Sequence, residues 1–210
     1  MRVAVTGCAT GIGAEACRIL KERGDEIVGF DLVETNTNVD SFHKIDLSDS
    51  AFIASVLNEV DGKFDALMNI AGLPPREGLT ATILAVNFIG LRAFTLGMLE
   101  KLNDNSSIVN MASRAGMAWR DNIDQVKALM GLSEDVSLDD FIAHHEINHV
   151  RAYNLSKEAV IVWSMAQTES LVPRNIRLNT LSPSGVETQI IDDFKEAFGR
   201  DRVEQNTKRV

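Results

Sequence analysis

A short apolar strand followed at once by a glycine-rich turn opens the chain, and this pair limits the possible folds more than any other feature. The run Arg2-Val3-Ala4-Val5 leads into Thr6-Gly7-Cys8-Ala9-Thr10-Gly11-Ile12-Gly13. A stripe of apolar residues with helical spacing follows, formed by Ile12, Ala16, Ile19 and Leu20. The N-terminus therefore predicts a strand, a tight turn and a helix, which together begin a βαβ unit.

Further short apolar runs alternate with segments of helical spacing along the rest of the chain. The runs lie at 3–5, 27–30, 64–70, 107–111 and 176–181, and another short strand is predicted to end at 45–46. This alternation predicts an α/β fold, a doubly wound parallel sheet of the Rossmann type with helices on both faces. With 210 residues and no internal repeat or linker, we expect a single domain over 1–210.

Composition disfavours several classes of partner. With 30 acidic and 21 basic residues, the net charge of -9 should repel nucleic acid and anionic membranes. The longest apolar stretch, 83–91, is too short to span a bilayer, and no secretory signal pattern is present. Cys8 and Cys17 lie on one strand-to-helix unit, where disulfide geometry is rare. We therefore expect a protein of the reducing cytoplasm.

The glycine turn is typical of a dinucleotide site. Glycine lets the backbone approach a pyrophosphate, whose charge meets the free amides at the start of the helix. Gly7, Gly11 and Gly13 fit this role, although the same spacing also serves ordinary tight turns. The second strand ends in Asp31, where a carboxylate meets the two ribose hydroxyls of NAD, and apolar residues follow it where a 2'-phosphate would need a cation. The sequence thus predicts NAD rather than NADP.

A tyrosine and a lysine four residues apart form the second chemical feature. Tyr153 and Lys157 fall on a predicted helix over 152–171 and share one face. A free tyrosine titrates near pH 10, and a neighbouring ammonium lowers this pKa by roughly 1 to 3 units. Tyr153 is the only tyrosine in the chain, and it follows a strand that ends near Ser113. The pair is therefore a candidate for proton transfer.

These residues together resemble the short-chain dehydrogenases/reductases. The matching pieces occur in family order and cover nearly the whole chain. They are the glycine turn, Asp31, Asp46-Leu47, Asn69-Ile70-Ala71-Gly72, Asn87, Ser113, the Tyr153/Lys157 pair, and Pro183 with Thr188. The resemblance implies an NAD-dependent oxidoreductase that moves a hydride between the nicotinamide and an alcohol or carbonyl carbon.

The resemblance also implies a role for each matching residue. Tyr153 would accept the proton in alcohol oxidation, Ser113 would hydrogen-bond the substrate oxygen, and Lys157 would anchor the ribose and lower the pKa of Tyr153. Asn87 would hold a water of the proton relay. The implied cofactor contacts are Gly7, Thr10, Gly11, Ile12, Gly13, Asp31, Asp46, Leu47, Asn69, Ala71, Gly72, Tyr153, Lys157, Pro183, Val186 and Thr188. Two plainer interpretations stay open: Asn87 as a tolerated polar residue of a helix, and Ser113 as an N-terminal cap.

Residues 117–150 depart from the family pattern. They place Ser113 and Tyr153 forty positions apart (153 minus 113), which is longer than usual in the family. The segment is polar and acidic, with helices predicted near 123–130 and 139–146. We expect it beside the substrate pocket, with a solvated excursion as the alternative. Bacterial family members with such an insertion act on steroids or cinnamyl alcohols, so the resemblance favours a bulky aromatic or steroid-like alcohol or carbonyl.

The end of the sequence is the second departure. A helical segment over 190–198 leads to Val210, and the usual last strand of the family and its preceding helix are absent. Either the chain is part of a longer one, or these elements are supplied differently. A catalytically silent NAD-binding sensor or scaffold of the same fold therefore stays open as an alternative. The helices predicted over 80–102 and 152–171 are apolar around much of their circumference, which, with the resemblance, predicts a homodimer or homotetramer.

One further pattern, His145-Glu146-Ile147-Asn148-His149, matches the His-Glu-x-x-His arrangement of zinc proteases. That arrangement needs both histidines on one helical turn. No third ligand follows at metzincin spacing, and the segment lies inside the insertion. We therefore expect no metal site.

Overall fold

The computed structural model describes residues 1–132 and 137–207 and shows a six-stranded sheet. The strands are β1 Arg2–Thr6, β2 Glu26–Asp31, β3 Ser41–Lys44, β4 Phe64–Asn69, β5 Leu102–Met111 and β6 Arg177–Leu181. The helices are α1 Gly11–Glu22, α2 Ser50–Glu59, α3 Thr80–Leu84, α4 Leu91–Met98, α5 Ile123–Met130, α6 Leu138–His144, α7 His149–Leu171, α8 Ile191–Phe198 and α9 Arg200–Thr207. The order is β3-β2-β1-β4-β5-β6, and every pairing is parallel. The predicted Rossmann-type sheet is confirmed.

The strand order reverses beside β1, and this reversal creates the cleft. From β1 the chain moves outward through β2 and β3, then returns to pair β4 on the other side of β1. The connections after β1 and β4 therefore leave the sheet in opposite directions. In open sheets of this kind, ligands bind in the crevice beyond the carboxyl ends of the strands at such a point.

Alternating side chains of β1 bury into two cores, one on each face of the sheet. Val3 and Val5 pack with Cys17 and Leu20 of α1, whereas Ala4 points into a larger core with α2 and α4. The buried face of α1 is Gly13, Cys17 and Leu20. The predicted stripe was wrong in part, because Ile19 is 46% exposed and Cys17 occupies the buried position instead.

Helices α3 and α4 are joined by a π-helical turn, Ala85–Gly90, into one continuous rod. The extra residue of a π turn is a common feature of functional sites, and here the turn carries Asn87. The helical stretch Thr80–Lys101 is long and apolar enough to cross a membrane by length and composition. Half of its most apolar window is buried within the fold, as in the core helix of a globular domain, so this is weak support for a span.

The insertion packs against α7. A 3₁₀ segment, Arg114–Arg120, leads from β5 into α5, and α6 follows residues outside the described ranges. Val126, Leu129 and Phe141 bury in the same core as α7. The helix predicted near 139–146 ends earlier, at His144, because Glu146 has a positive φ of 51°. Within the described ranges, β6 is followed only by helices and forms an edge of the sheet.

Candidate active site

A cleft of about 930 Å³ opens at the carboxyl ends of the strands. It has the size of a small-molecule or cofactor site. Of the residues singled out from the sequence, all but Asn69 and Asn87 line it. Those that line it are Gly7, Thr10, Gly11, Ile12, Gly13, Asp31, Asp46, Leu47, Ala71, Gly72, Ser113, Tyr153, Lys157, Pro183, Val186 and Thr188. One concave surface thus gathers residues that are up to 181 positions apart (188 minus 7).

The glycine turn is shaped by close backbone contacts that side chains would block. A Cβ on Gly13 would lie 1.9 Å from the Gly7 carbonyl oxygen, and one on Gly7 would lie 2.7 Å from Ala71. Gly7 and Gly11 also have positive φ angles, of 72° and 55°. The Thr10 side chain makes no capping hydrogen bond to α1, so the helix presents its first-turn amides to the cleft. This cradle fits the pyrophosphate of a dinucleotide.

Asp31 links the end of β2 to the glycine turn. One carboxylate oxygen accepts a hydrogen bond from the Ala9 amide at 2.9 Å, and the other accepts from the Val33 amide at 3.0 Å. Each oxygen keeps a further lone pair for ligand hydroxyls. Asp46 has a similar local role, accepting from the amide and hydroxyl of Ser48. The residues that would hold an adenosine are therefore fixed by the backbone before a ligand arrives.

Ser113 and Tyr153 bring two hydroxyls together at the other end of the cleft. Ser113 caps the following 3₁₀ segment by accepting from the Ala115 amide at 3.2 Å. Its hydroxyl also lies near enough to the Tyr153 phenol to affect the pKa of that group, so the two roles are compatible. Burial raises the pKa of Tyr153 to about 12, and the neighbouring Ser113 hydroxyl opposes this rise. Because α8 covers it, the Tyr153 side chain is only 6% exposed.

Lys157 lies one helical turn from Tyr153 and is equally enclosed. Its ammonium donates to the Met111 carbonyl oxygen at 2.9 Å and lies 5.8 Å from the centre of the Tyr153 ring. Desolvation lowers the pKa of Lys157 to about 8. The expected lowering of the Tyr153 pKa by this lysine is not seen: burial of the phenol raises that pKa instead, and the effect that opposes the rise comes from Ser113. Both groups are nevertheless buried, where electrostatic effects are stronger than in water.

We expect Lys157→Met to make the fold more stable. Below pH 8 the wild type holds a buried ammonium whose folded pKa, about 8, is below the ordinary lysine value of 10.5. This difference destabilises the folded state until the pH rises through that interval. Removing the charge should raise the free energy of unfolding at pH 7 by about 2 kcal/mol, after the lost hydrogen bond is considered.

Urea unfolding of both proteins across the pH range measures this effect. The advantage of Lys157→Met should shrink between pH 8 and 10.5 as the wild-type lysine loses its proton. A variant that is less stable than the wild type at pH 7 would show that the ammonium is compensated in the fold.

Asn69 and Asn87 do not line the cleft but support it from behind. Asn69 is buried and donates to Thr95 at 2.8 Å and to Asn110 at 2.7 Å. Asn87 accepts from the Leu73 amide at 2.7 Å and donates to the Leu73 carbonyl at 3.0 Å. This pairing fixes the loop after β4 and excludes the interpretation of Asn87 as merely a tolerated helix residue.

Several residues around Tyr153 were not predicted from the sequence. Arg76 pairs with Asp193 of α8 through two 2.8 Å contacts, so the helix is tied across the cleft to the loop after β4. Apolar residues of four regions also line the cleft: the loop after β4, the insertion, the segment after β6 and the last helices. They are Leu73, Met117, Ala118, Ile190, Ile191, Phe194, Phe198 and Val203. The four-residue spacing of Phe194 and Phe198 was the one available signal, but it does not say what the helix covers.

The His-Glu-x-x-His pattern is divided between two helices. His145 follows the end of α6, His149 begins α7, and Glu146 between them has a positive φ. The single helical turn that would aim both imidazoles at one metal is therefore not formed.

Comparison with known proteins agrees with this geometry. Residues 1–123 match the family model of the short chain dehydrogenases. The coniferyl-alcohol dehydrogenase of a Pseudomonas species is 30% identical over 213 residues, which cover all of this chain and 82% of that enzyme. The 3-alpha-hydroxysteroid dehydrogenase/carbonyl reductase of Comamonas testosteroni is 25% identical over 194 residues, covering 90% of this chain and 74% of that protein.

Solved structures give the same result. The 3-alpha-hydroxysteroid dehydrogenase of a Pseudomonas species, in complex with NADH, superposes with a TM-score of 0.80 at 25% identity. The match covers 96% of this chain and 80% of that one. The sequence match, the shared fold and the cleft together support an oxidoreductase with a nicotinamide cofactor, and the chain belongs to the short-chain dehydrogenase/reductase family.

Proposed function

We propose that this protein is an NAD-dependent oxidoreductase that transfers a hydride between the nicotinamide and a bulky alcohol or carbonyl of the aromatic, cinnamyl or steroid-like class. The observation that carries the proposal is the placement of Ser113 and Tyr153, with Lys157 one helical turn away, in the same cleft as the glycine turn. When bound, the nicotinamide supplies or accepts the hydride. The protein's residues supply position and proton transfer.

The proton step belongs to Tyr153. In carbonyl reduction, its phenol donates a proton to the substrate oxygen while Ser113 donates a hydrogen bond to the same oxygen. With a pKa of about 12 in the unliganded protein, Tyr153 is protonated at neutral pH and ready to act as the acid. In alcohol oxidation the proton moves the other way, so oxidation should gain from rising pH. Lys157 holds positive charge beside the ribose hydroxyls and the phenol oxygen.

The cofactor end of the cleft carries the preference for NAD. The glycine cradle would hold the pyrophosphate and Asp31 the adenosine ribose. Asp46 and Leu47 would hold the adenine, and Val186 with Thr188 the nicotinamide carboxamide. Asp31 is already held by two backbone amides, so its charge cannot easily turn away from a 2'-phosphate. That repulsion should exclude NADP.

We expect Asp31→Ala to lose most of this discrimination. The ratio of kcat/KM for NAD over NADP should fall by roughly 10- to 100-fold, equivalent to one or two charge-assisted hydrogen bonds. Asp40→Ala is the matched control, because Asp40 likewise accepts from a backbone amide, that of Ile27, outside the cleft. An unchanged ratio in Asp31→Ala, or an equal fall in both variants, would remove Asp31 from cofactor selection.

Oxidation of a panel of cinnamyl, benzylic and steroid alcohols with NAD tests the function, followed by the absorbance of reduced nicotinamide. Turnover of at least one class supports the proposal. NAD binding without turnover across the panel, in both directions, would favour a silent sensor or scaffold instead. For the cellular setting we expect the cytoplasm, and for assembly a homodimer or homotetramer, which sedimentation velocity measures.

A further inference from the structure

The helix α8 brings two aromatic rings against the proposed catalytic tyrosine. The Phe194 ring lies edge-on to the Tyr153 ring, with centroids 5.2 Å apart and planes at 76°. Phe198 approaches the same ring at 6.3 Å and 62°. The two phenylalanine rings are nearly parallel to each other, at 13°. Together they present two aligned aromatic surfaces beside the reacting hydroxyls.

The orientation of these rings does not depend on their own packing alone. Asp193 precedes Phe194 on the helix, and its carboxylate accepts hydrogen bonds from both Nε and Nη2 of Arg76. A bidentate pair of this kind restricts direction as well as distance. The rings also join the apolar cluster that contains Tyr153 and Leu73. The backbone of Leu73 is itself held by Asn87. The helix is thus held over the cleft at two points, one polar and one apolar.

We propose that Phe194 and Phe198 form an aromatic wall that makes the protein prefer alcohols with a planar aromatic ring over alcohols with a saturated ring of the same size. This inference rests on the proposed function, because it assigns Tyr153 to the reacting oxygen. It goes further by choosing the aromatic class over the steroid-like class. The wall is defined here as the two rings of Phe194 and Phe198.

Ring geometry distinguishes an aromatic wall from an ordinary apolar surface. A saturated ring is at least as hydrophobic as a phenyl ring, so burial of area alone would not favour the aromatic ligand. A flat ring can stack in an offset or edge-on arrangement with each phenylalanine, and such pairs add about 0.5–1.5 kcal/mol beyond area burial. The fused saturated rings of a steroid gain nothing from these arrangements. The expected preference is therefore roughly tenfold in affinity.

The test compares cinnamyl alcohol with its analogue in which a cyclohexyl ring replaces the phenyl ring. Both ligands are titrated calorimetrically into the full chain with saturating NADH, where alcohol oxidation cannot proceed. The wild type should bind cinnamyl alcohol roughly tenfold more tightly. Phe194→Leu and Phe198→Leu should each reduce the ratio by about threefold, and the double variant should bring it near one.

Phe52→Leu is the matched control, because Phe52 is a partly buried phenylalanine of α2 that packs against a different apolar core and does not line the cleft. It should leave the ratio unchanged. Equal affinities for the two ligands in the wild type, or a preference that survives the double variant, would overturn the aromatic wall. A wild type that keeps the preference but oxidises no alcohol would retain the wall and remove the proposed function, so the two failures are distinguishable.

Discussion

Tyr153→Phe should lose roughly 10²- to 10⁴-fold in kcat, the range that positioned acid–base catalysis supplies. The variant keeps the aromatic ring, and therefore its edge contacts with Phe194 and Phe198, but it removes the hydroxyl that Ser113 influences. Affinity for NAD should stay within about threefold, because one hydroxyl contributes about 1 kcal/mol or less. Steady-state rates, together with calorimetric titration of NAD, measure both parts.

Thr168→Val is the matched control for this loss. Thr168 is also on α7 but away from the cleft, and the change also removes one hydroxyl. Its rates should remain at the wild-type level. If Tyr153→Phe retained more than about a tenth of the wild-type kcat, its phenol would not be the proton donor, since general acids contribute at least a hundredfold.

Gly13→Ala should prevent NAD binding. The new Cβ would lie 1.9 Å from the Gly7 carbonyl oxygen, a backbone atom that no rotamer change can move. Helix α1 must then separate from the turn, which breaks the cradle. We expect the dissociation constant for NAD to rise at least about 100-fold and the free energy of unfolding to fall by about 1–3 kcal/mol, as for other overpacked sites.

Gly131→Ala serves as the comparison, because its φ is negative and an added Cβ would meet only the Lys127 carbonyl oxygen, at 3.3 Å. This second alanine should leave NAD affinity unchanged. An NAD affinity in Gly13→Ala equal to that of the wild type would mean that the cofactor does not use the glycine turn.

Much of the fold was predictable because parallel strands are apolar on both faces. The runs at 27–30, 64–70 and 107–111 are mostly hydrophobic, and each became part of a strand with buried residues. The glycine turn was predictable for a related reason, because close backbone contacts admit no side chain. The exact face of α1 was harder to predict, since Cys17 is a small apolar residue and Ile19 a large one, yet only Cys17 is buried.

The candidate site likewise has a part that could be predicted from the sequence and a part that could not. Its cofactor end could be predicted from residue type, because Asp31 follows a strand and carries the required charge. The positions of Asn69 and Asn87 could not be predicted, because a side-chain amide can equally contact a ligand or hydrogen-bond within the fold. Asn87 proved to be a strut that fixes the Leu73 backbone.

Protonation was the least predictable property. Sequence spacing places Lys157 beside Tyr153, which by itself lowers the phenol pKa. Burial raises the pKa of the phenol instead. How deeply the phenol is buried depends on α8, a helix about forty residues further along the chain (191 minus 153). A sequence states which charges are neighbours but not how much water surrounds them.

The central claim is that the nicotinamide and the substrate carbon exchange a hydride in this cleft. It is tested most directly with NADH carrying deuterium at the transferable position, incubated with cinnamaldehyde and the full chain, followed by mass spectrometry of the alcohol. We expect deuterium on the carbinol carbon of the product, and roughly 10²- to 10⁴-fold slower labelling with Tyr153→Phe. Alcohol formed without deuterium on that carbon, or labelling at the same rate in both proteins, would contradict it.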